Sequence, residues 1–461
     1  MGSDTMGRVV EYKIVISDKA TDNEKRAAVF LRNQVRLVCG ELIPIVTDAT
    51  EPTEKEIVIG TTERERAGFL PERGRKGLYQ YVIKSDGERL FICGLGIPDT
   101  PPEAYTSAYR YTDEGDIGTL MGVYRFTEEI LGYDFIFEGY SVLSENRDAE
   151  IPENCLIEYT TEGLRAQKLP ELEGECIYML PVTAELDWNV MSFVIRTRSG
   201  RLIVIDGGQA SETEYLLDVL KKLAPKGEIP TVSTWLLTHL HGDHYGAFTH
   251  IVENYAEYKD RVRVENYYCN LAEEEFYTTL SREAAGWCKG VRDTILGSGR
   301  VLGGRVHTVN EGDEIEVDGM SFRVIHVPNM QYAREMNMND SSVVYKLTAS
   351  CGQTVMFLGD AEWVCSNDLL QNHRDELKSD VVQVSHHGCG GVSKECYAAI
   401  GAEYYLWQLG NRFWYGEKGQ GLNTHNTGVI ANRNNIMSLG AKREKIFLDV
   451  NGIRGFEFPI K

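Results

Sequence analysis

Four side chains that can coordinate a metal ion fall within six consecutive positions, directly after the apolar run at residues 232–237. They are His239, His241, Asp243 and His244. Three imidazoles and a carboxylate at the point where a strand passes into a loop can converge and supply ligands for two divalent ions. A closed structural zinc site is the alternative, although such sites usually use cysteines or widely spaced histidine pairs. The segment therefore predicts the centre of a metal-dependent hydrolase.

Two later apolar runs end in side chains of the same kinds. The run at residues 354–358 leads to Asp360, a carboxylate that could bridge two cations from a strand end. The run at 381–384 leads to the pair His386 and His387. For an isolated aspartate, the formation of a turn is an equally good explanation. The histidine pair that follows makes a role at the metal site the better interpretation of Asp360.

The segments around the first motif predict how it is positioned. Residues 191–197 and 201–205 read as a hairpin, and residues 212–223 have the apolar spacing of an amphipathic helix. A strand at 232–237 then runs into the histidine motif. Strand, helix, strand and then ligands on a loop is an order that places chemistry at the edge of a sheet. Asp206 ends the second hairpin strand, where turn formation is the simple interpretation.

The first third of the chain has a different pattern. Short strands are predicted at residues 12–16, 57–59, 79–84 and 90–93. Helices are predicted ahead of Gly40 and at 119–131. We therefore expect a smaller α/β domain over residues 1–160, a linker over 161–174 and a second domain over 175–461. The first domain contains no constellation of catalytic residues.

Composition limits the classes of partner. The chain has 461 residues, more than one hydrophobic core usually serves, so two or three domains are expected. The formal net charge of −21 disfavours long nucleic acids, because their binding depends on lysine and arginine contacts to phosphates. The ten cysteines include no Cys-x-x-Cys pair, which argues against a disulfide framework. No signal-peptide pattern or long apolar run is present, so we expect a cytoplasmic protein without a membrane partner.

The ordered motifs resemble the metallo-β-lactamase fold superfamily. The resemblance covers residues 175–461 and rests on His239-x-His241-x-Asp243-His244, Gly359-Asp360 and Ser385-His386-His387-Gly388. The segments at 205–208 and 339–344 are most similar to the branch that contains the hydrolase domain of the competence protein ComEC/Rec2. The resemblance implies an αββα sandwich, in which two mixed sheets lie between outer helices and a dinuclear site lies at one edge.

The superfamily pattern implies a ligand set for two divalent ions, zinc or manganese. It puts His239 and His241 on one metal and Asp243 with His244 on the other. Asp360 would bridge the two ions. Asp243 would also accept a hydrogen bond from the attacking water or hydroxide.

The last ligands are less well defined by the resemblance. His386 would complete the second metal site, with His387 as the alternative ligand or as a group behind the ligands. Most superfamily members supply another histidine to the first metal, where this chain has residues 337–342. Asn339, Asp340 or water would replace it. His326 lies in an apparent strand, where a core role or a role behind the ligands is the simpler interpretation.

Three residues are expected to act on the substrate, namely Asp243, His387 and His425. His425 lies in a late loop, where related ComEC-like domains carry a histidine, and would donate a proton to a leaving group or contact an anionic substrate. An exposed loop histidine without a role is the alternative. His250, His307 and His373 are interpreted as structural or surface residues. An aromatic-rich insertion at 250–305 would form a lid over the site or cover a sheet face.

Residues 10–150 resemble the accessory N-terminal domain found ahead of several glycoside hydrolases, mainly through residues 118–133. The predicted function is a dinuclear hydrolase that uses a metal-activated hydroxide on a phosphodiester or another small anionic or sugar-linked ester. Hydrolysis of a carboxyl ester, lactone, thioester or amide is one alternative. A non-enzymatic, carbohydrate-associated binding protein with a decayed metal site is another. The natural substrate, the metals and the oligomeric state stay open.

Overall fold

The computed structural model describes residues 5–74, 79–96, 117–133, 146–183, 189–280, 282–415 and 427–461. These residues form two compact units. The first unit holds the described residues up to Ala166, Thr183 and Asn411–Tyr415, and the second holds the remainder. Among the described helices, none combines the length and the hydropathy that a membrane-spanning segment requires.

The first unit is an α/β layer structure. Its strands are β1 Thr5–Arg8, β2 Lys13–Ile16, β3 Ile45–Thr47, β4 Glu56–Ile59, β5 Tyr81–Ser85, β6 Leu90–Gly94, β7 Glu150–Pro152 and β8 Leu156–Tyr159. Its first helices are α1 Asp22–Cys39, α2 Gly118–Glu129 and α3 Thr161–Ala166. The main sheet has the order β3-β2-β4-β6-β5-β8, and β1 pairs with β7.

The helix predicted ahead of Gly40 begins and ends as its sequence indicates. Thr21 and Glu24 form a reciprocal capping box at the start of α1, and Gly40 ends the helix with a φ of 82°. One prediction differs from the structure. Residues 161–166, assigned to a linker, form α3, because Leu164 is buried and anchors this turn of helix in the first unit.

The second unit contains two mixed sheets. Its strands are β9 Cys176–Met179, β10 Ser192–Arg196, β11 Leu202–Asp206, β12 Thr231–Leu236, β13 Arg263–Val264, β14 Asn266–Cys269, β15 Arg305–Thr308, β16 Glu314–Val317, β17 Met320–His326, β18 Val344–Thr348, β19 Thr354–Phe357, β20 Val381–Gln383, β21 Tyr404–Trp407, β22 Ile446–Leu448 and β23 Arg454–Glu457. One sheet has the order β15-β14-β12-β11-β10-β9-β23, with β13 beside β12. The other has the order β16-β17-β18-β19-β20-β21-β22.

Nine α-helices are interspersed with these strands between residues 213 and 438 of the described chain. They are α4 Thr213–Leu223, α5 Gly242–Glu253, α6 Tyr255–Tyr258, α7 Glu274–Leu280, α8 Arg282–Leu302, α9 Trp363–Asn372, α10 Lys394–Ile400, α11 Asn411–Tyr415 and α12 Thr427–Ser438. All belong to the second unit except α11. The predicted hairpin is β10 and β11, which pair antiparallel, and the helix predicted at 212–223 is α4.

The two sheets share one core. Ile203 and Ile205 of β11 face the other sheet, where they belong to the same apolar cluster as Tyr345. Leu202 and Val204 of the same strand point the opposite way, into the cluster formed with α4 and α5. A strand buried on both faces is apolar at every position, which explains the continuous run in this part of the sequence.

The outer helices complete the layers. Strands β19, β20, β21 and β22 run parallel in sheet order, with α9, α10 and α12 in the connections between them. Because such crossovers are right-handed, these helices lie on one face of the sheet that contains β16–β22. This is the face turned away from the sheet that contains β9–β15.

The aromatic-rich insertion is mainly core. Four of its rings are buried in the apolar cluster that β11 and β12 form with α4 and α5, namely those of Tyr258, Tyr267, Phe276 and Tyr277. The structure therefore favours the sheet-covering interpretation over the lid.

Candidate metal centre

Three loops that follow the carboxyl ends of strands meet at one edge of the second unit. They come after β12, β19 and β20, and carry the histidine motif, Asp360 and the histidine pair. Parallel strands bring such loops to one edge, where ligands bind in α/β sheets. The two sheets are joined here, because the Tyr345 hydroxyl donates to the Leu237 carbonyl over 3.0 Å and Val343 N–H donates to the Thr238 carbonyl over 2.9 Å.

The side chains form two groups whose ligand atoms lie within 4.8 Å of one another in each group. The first group is His239, His241 and Asp360, and the second is Asp243, His244 and His387. Both groups are largely buried. The structure therefore brings together six of the side chains that the sequence singled out.

Asp360 lies between the groups. Its Oδ1 is 3.3 Å from His244 Nε2 and 3.8 Å from His387 Nε2. Its Oδ2 is 3.9 Å from His239 Nε2. Each carboxylate oxygen thus faces one group, which is the arrangement that a bridging ligand requires.

Several buried atoms at the centre have no hydrogen-bond partner among the described residues. They are His244 Nε2, His387 Nε2, Asp360 Oδ1 and Asn339 Oδ1. A buried polar atom without a partner is costly, and such atoms are rare in folded proteins. Imidazole nitrogens and carboxylate oxygens are ligands of zinc and manganese. The donor set therefore fits two divalent cations.

In His244 and His387, the ring nitrogen that points away from the centre, Nδ1, has an oxygen partner of its own. His244 Nδ1 lies 2.8 Å from Asp206 Oδ2, and His387 Nδ1 lies 3.2 Å from the Gln408 carbonyl oxygen. With Nδ1 donating to oxygen in each ring, Nε2 presents its lone pair to the centre. Ligating histidines are commonly fixed in this way.

In the first group, His239 Nε2 lies 2.9 Å from His241 Nδ1. Two nitrogen lone pairs at this distance repel each other, so a proton or a cation must lie between them. Thr238 Oγ1 lies 3.2 Å from His239 Nδ1 and orients this ring from behind.

The electrostatics of His239 and Asp360 favour the protonation states that ligands need, whereas His244 holds a proton in the absence of a cation. Burial lowers the pKa of His239 well below its usual value, which keeps the ring neutral. Burial alone would raise the pKa of Asp360, but the neighbouring His244 and His387 outweigh it and hold that pKa well below the usual value. Burial would lower the pKa of His244, but Asp360 and Asp206 outweigh it and raise that pKa well above the usual value. A cation at Nε2 would take the place of that proton.

The histidine pair is arranged differently from the expected ligand set. His387 joins Asp243, with its Nε2 at 3.3 Å from Asp243 Oδ2. His386 instead places Nδ1 2.6 Å from Glu362 Oε1, and its Nε2 is 3.9 Å from Asp360 Oδ2 on the side of the first group. The geometry therefore favours His387, the alternative ligand, over His386 for the second group.

Backbone conformation separates the two rings. His386 and His387 have φ values of 50° and 51°, in the left-handed region that residues other than glycine seldom adopt. Such strain persists where the surrounding structure imposes it, and it is concentrated at functional sites.

The segment that replaces the customary histidine contributes unequally. Asp340 accepts hydrogen bonds from the backbone N–H groups of Glu362 and Cys365, at 3.2 and 3.0 Å, and so supports the start of α9. Asn339 donates to Glu362 Oε1 over 3.0 Å, while its Oδ1 has no partner among the described residues. Asn339 is therefore better placed than Asp340 to serve a cation. His425 lies outside the described residues.

Three contributors could not be assigned from sequence. The sequence around Asp206 indicates a turn, Glu362 belongs to no recognised motif, and Gln408 acts through its backbone carbonyl. Asp206 and Glu362 had a weak local signal, because each lies at or just after a strand end. A backbone acceptor such as that of Gln408 has no signal in side-chain type.

Residues 186–332 match the family model described as the metallo-beta-lactamase superfamily. This segment includes the histidine motif but ends before Asp360 and His387. The match and the layered architecture agree with the predicted fold class. The second unit has the metallo-beta-lactamase fold, and an additional α/β region precedes it. No curated protein matches the chain.

Several solved structures are similar to this chain at low identity. The metallo-beta-lactamase fold protein YhfI from Bacillus subtilis is 10% identical, covering 61% of this chain and 99% of its own, with a TM-score of 0.35. A diphosphatase of the PhnP family is 12% identical, with coverages of 62% and 98% and a TM-score of 0.35. The diiron β-hydroxylase CmlA from Streptomyces venezuelae is 11% identical, with coverages of 75% and 61% and a TM-score of 0.38.

Proposed function

We propose that this protein is a cytoplasmic hydrolase that depends on two divalent metal ions and cleaves a phosphodiester or another small anionic ester. The observation that carries the proposal is the position of Asp360, whose two oxygens face the two groups of ligands separately. One cation would be held by His239 and His241, and the other by Asp243 and His244 with His387.

When bound, such a pair of cations lowers the pKa of a water molecule and neutralises negative charge that develops on the ester. The protein groups behind the ligands hold the histidine rings in the orientation that binding requires. Asp206 fixes the His244 ring, and the Gln408 carbonyl fixes the His387 ring.

Asp243 is the group that would accept a hydrogen bond from the attacking water. It lies in the first turn of α5, where the helix dipole favours a negative charge. Burial would raise the pKa of Asp243, but the neighbouring His387 and His244 outweigh it and lower that pKa, so the side chain is an acceptor near neutral pH. About 15% of the Asp243 side chain is exposed, which leaves it accessible to water. We retain His425 as the candidate proton donor to the leaving group.

The preference for a phosphodiester rests on two features. Carboxylate ligands suit hard or borderline cations such as Mn²⁺ and Zn²⁺, which bind phosphoryl oxygens. The order of motifs resembles the ComEC/Rec2 branch. The net charge of −21 favours a small substrate over a long nucleic acid. We assign an accessory role to the first unit, in keeping with its likeness to the domain that precedes several glycoside hydrolases.

The test begins with protein stripped of metal by a chelator and assayed on bis(p-nitrophenyl) phosphate. We expect no turnover, and recovery on addition of Zn²⁺ or Mn²⁺. Asp360→Ala should abolish the recovered activity, whereas Asp218→Ala, at an exposed position of α4, should retain it. Turnover by the metal-free protein, or full activity of Asp360→Ala, would contradict the proposal.

A parallel panel of carboxyl esters, lactones and thioesters separates the proposed bond from its alternative. Hydrolysis of the carboxyl compounds alone would keep the metal centre and replace the substrate class. The absence of tightly bound ions at the two groups of ligands would favour a non-catalytic protein instead.

A further inference from the structure

A second cluster of metal-ligating side chains lies in the same unit, apart from the centre described above. It consists of Glu311, His326, Asp368 and His373, and one ligand atom from each lies within 4.8 Å of the others. The four residues come from the loop before β16, the end of β17, the middle of α9 and the position after α9. None of them belongs to the proposed catalytic groups.

His326 is the residue that a folding role does not explain. Its side chain is 2% exposed, and neither ring nitrogen makes a hydrogen bond within the described part of the chain. Nδ1 nevertheless lies 3.0 Å from Asp368 Oδ2. A buried imidazole that approaches a carboxylate without a well-aligned hydrogen bond is costly, unless a third group satisfies both.

The neighbouring side chains direct their remaining atoms to the same space. Asp368 Oδ1 accepts the Asn372 amide over 2.8 Å and lies 3.5 Å from the Asn329 amide, which leaves Oδ2 turned toward His326. His373 Nε2 is 3.9 Å from that Oδ2, while its Nδ1 is 3.5 Å from Glu376 Oε1. A carboxylate behind the ring is the usual partner of a ligating histidine.

Glu311 closes the cluster. Its Oε1 lies 3.7 Å from His326 Nδ1 and 3.7 Å from His373 Nε2. Four ligands at ~2.1 Å from a tetrahedral zinc ion are roughly 3.4 Å from one another. Four of the six separations among these atoms, at 3.0, 3.7, 3.7 and 3.9 Å, scatter around that value.

We propose that Glu311, His326, Asp368 and His373 bind one divalent cation, and that Zn²⁺ is the ion that fits best. Two neutral imidazoles and two carboxylates carry a charge that a divalent cation cancels, which removes the penalty of the buried Asp368 carboxylate. The Glu311 side chain is 40% exposed, so the ion can enter from solvent. Four protein ligands with no open position are typical of a structural site rather than a catalytic one.

The cation would connect elements that are far apart in sequence. It would tie the end of β17 and the loop before β16 to α9, a helix that begins three residues after Asp360. The site would thereby stabilise the segment that leads out of the proposed catalytic centre, while its existence does not depend on the activity of that centre.

The test counts zinc per chain after equilibration with Zn²⁺ and removal of loosely bound ions. The double variant Glu311→Gln/His373→Gln changes only the solvent side of the cluster. Its matched control is Glu316→Gln/His307→Gln, which changes the same residue types on β16 and β15. We expect the double variant to hold one zinc ion fewer than the wild type and the control.

Two further measurements separate this site from the catalytic centre. In an Asp360→Ala background, the zinc content should fall by one further ion per chain when Glu311→Gln/His373→Gln is added. In a zinc-soaked crystal, an anomalous difference peak should lie among the four side chains. Equal zinc content in the double variant and its control, or no peak at this position, would overturn the proposal. If the double variant does not fold, Glu311→Gln alone should weaken zinc binding at the site by about tenfold or more in chelator competition, and unchanged affinity would overturn the proposal equally.

Discussion

Asp206 and His244 are 38 residues apart in sequence, and Asp206 Oδ2 lies 2.8 Å from His244 Nδ1 in the structure. Asp206 is itself held in place, because its Oδ1 accepts the Thr238 N–H over 2.8 Å. Its backbone has a φ of 62°, which turns the chain sharply at the end of β11. A buried carboxylate thus sets the orientation of one proposed ligand from behind, and this position can be tested separately from the ligands.

Asp206→Asn should weaken metal binding at the second group while the fold is retained. The amide keeps the shape of the side chain but loses the charge that supports the His244 ring. Loss of such a partner typically lowers metal affinity or activity by about 10- to 100-fold. Chelator competition measures the affinity. The matched control is Asp318→Asn, at an exposed aspartate that also has a positive φ, of 53°. Equal effects of the two variants would show that the backbone position matters rather than the contact with His244.

The two adjacent histidines should differ when each is replaced by asparagine, a residue that tolerates the left-handed backbone. His387→Asn should lose about one metal ion per chain, because this ring faces Asp243 and Asp360. His386→Asn should lose no ion, because its Nδ1 is directed to Glu362. Elemental analysis of the purified variants measures this difference. The opposite result would restore His386 as the ligand of the second group.

The layers of the second unit could be predicted because their cause is local. Strands β10 and β11 are buried on both faces, so their central residues are continuously apolar, and β12 adds Trp235 and Leu236 before the polar loop. The ligands His239, His241, Asp243 and His244 lie within one such loop, and their convergence needs little more than a strand end. The positions of Asp360 and the histidine pair followed from the same rule.

The choice of ring could not be predicted, because it depends on distant contacts. Which of His386 and His387 faces the centre is set by their backbone angles and by the Gln408 carbonyl, 21 residues beyond His387. The second cluster shows the same limit. His326 and Asp368 are brought together by the packing of α9, and the sequence around His326 indicates only a strand.

Gly359 should be hard to replace at the centre. Its φ is 55°, and a Cβ there would lie 2.7 Å from Thr238 Cβ. Gly359→Ala should therefore displace the strand end that carries Asp360. Its matched control is Gly352→Ala, which has a φ of 87° and open space among the described residues. Both variants lose about 1–2 kcal/mol from the backbone conformation, and Gly359→Ala should lose a further ~1–3 kcal/mol from crowding. The free energy of unfolding and the metal content of each variant measure this, and equal losses would contradict the expected crowding.

Glu56 makes the first unit sensitive to acid. Its carboxylate is buried and lies 3.1 Å from Arg64 Nε, 3.1 Å from Arg89 Nε and 3.2 Å from Lys13 Nζ. Burial would raise the pKa of Glu56, but the Thr53 N–H together with Lys13 and Arg64 outweighs it and lowers that pKa.

A carboxyl group whose pKa is lower in the folded state than in the unfolded state stabilises the fold above the unfolded value. That contribution is lost as the pH falls below about 4.5, the ordinary pKa of glutamate, toward the folded value. Glu56→Gln should be less stable by about 3 kcal/mol at neutral pH, because it leaves the buried Arg64 and the partly buried Arg89 without their counter-charge. Its stability should also fall less steeply than that of the wild type between pH 5 and 3. Hydrogen exchange of β4 measures both, with Glu54→Gln at an exposed neighbouring position as the control. If the wild type and Glu56→Gln lose protection in parallel over this range, Glu56 is not the group that titrates.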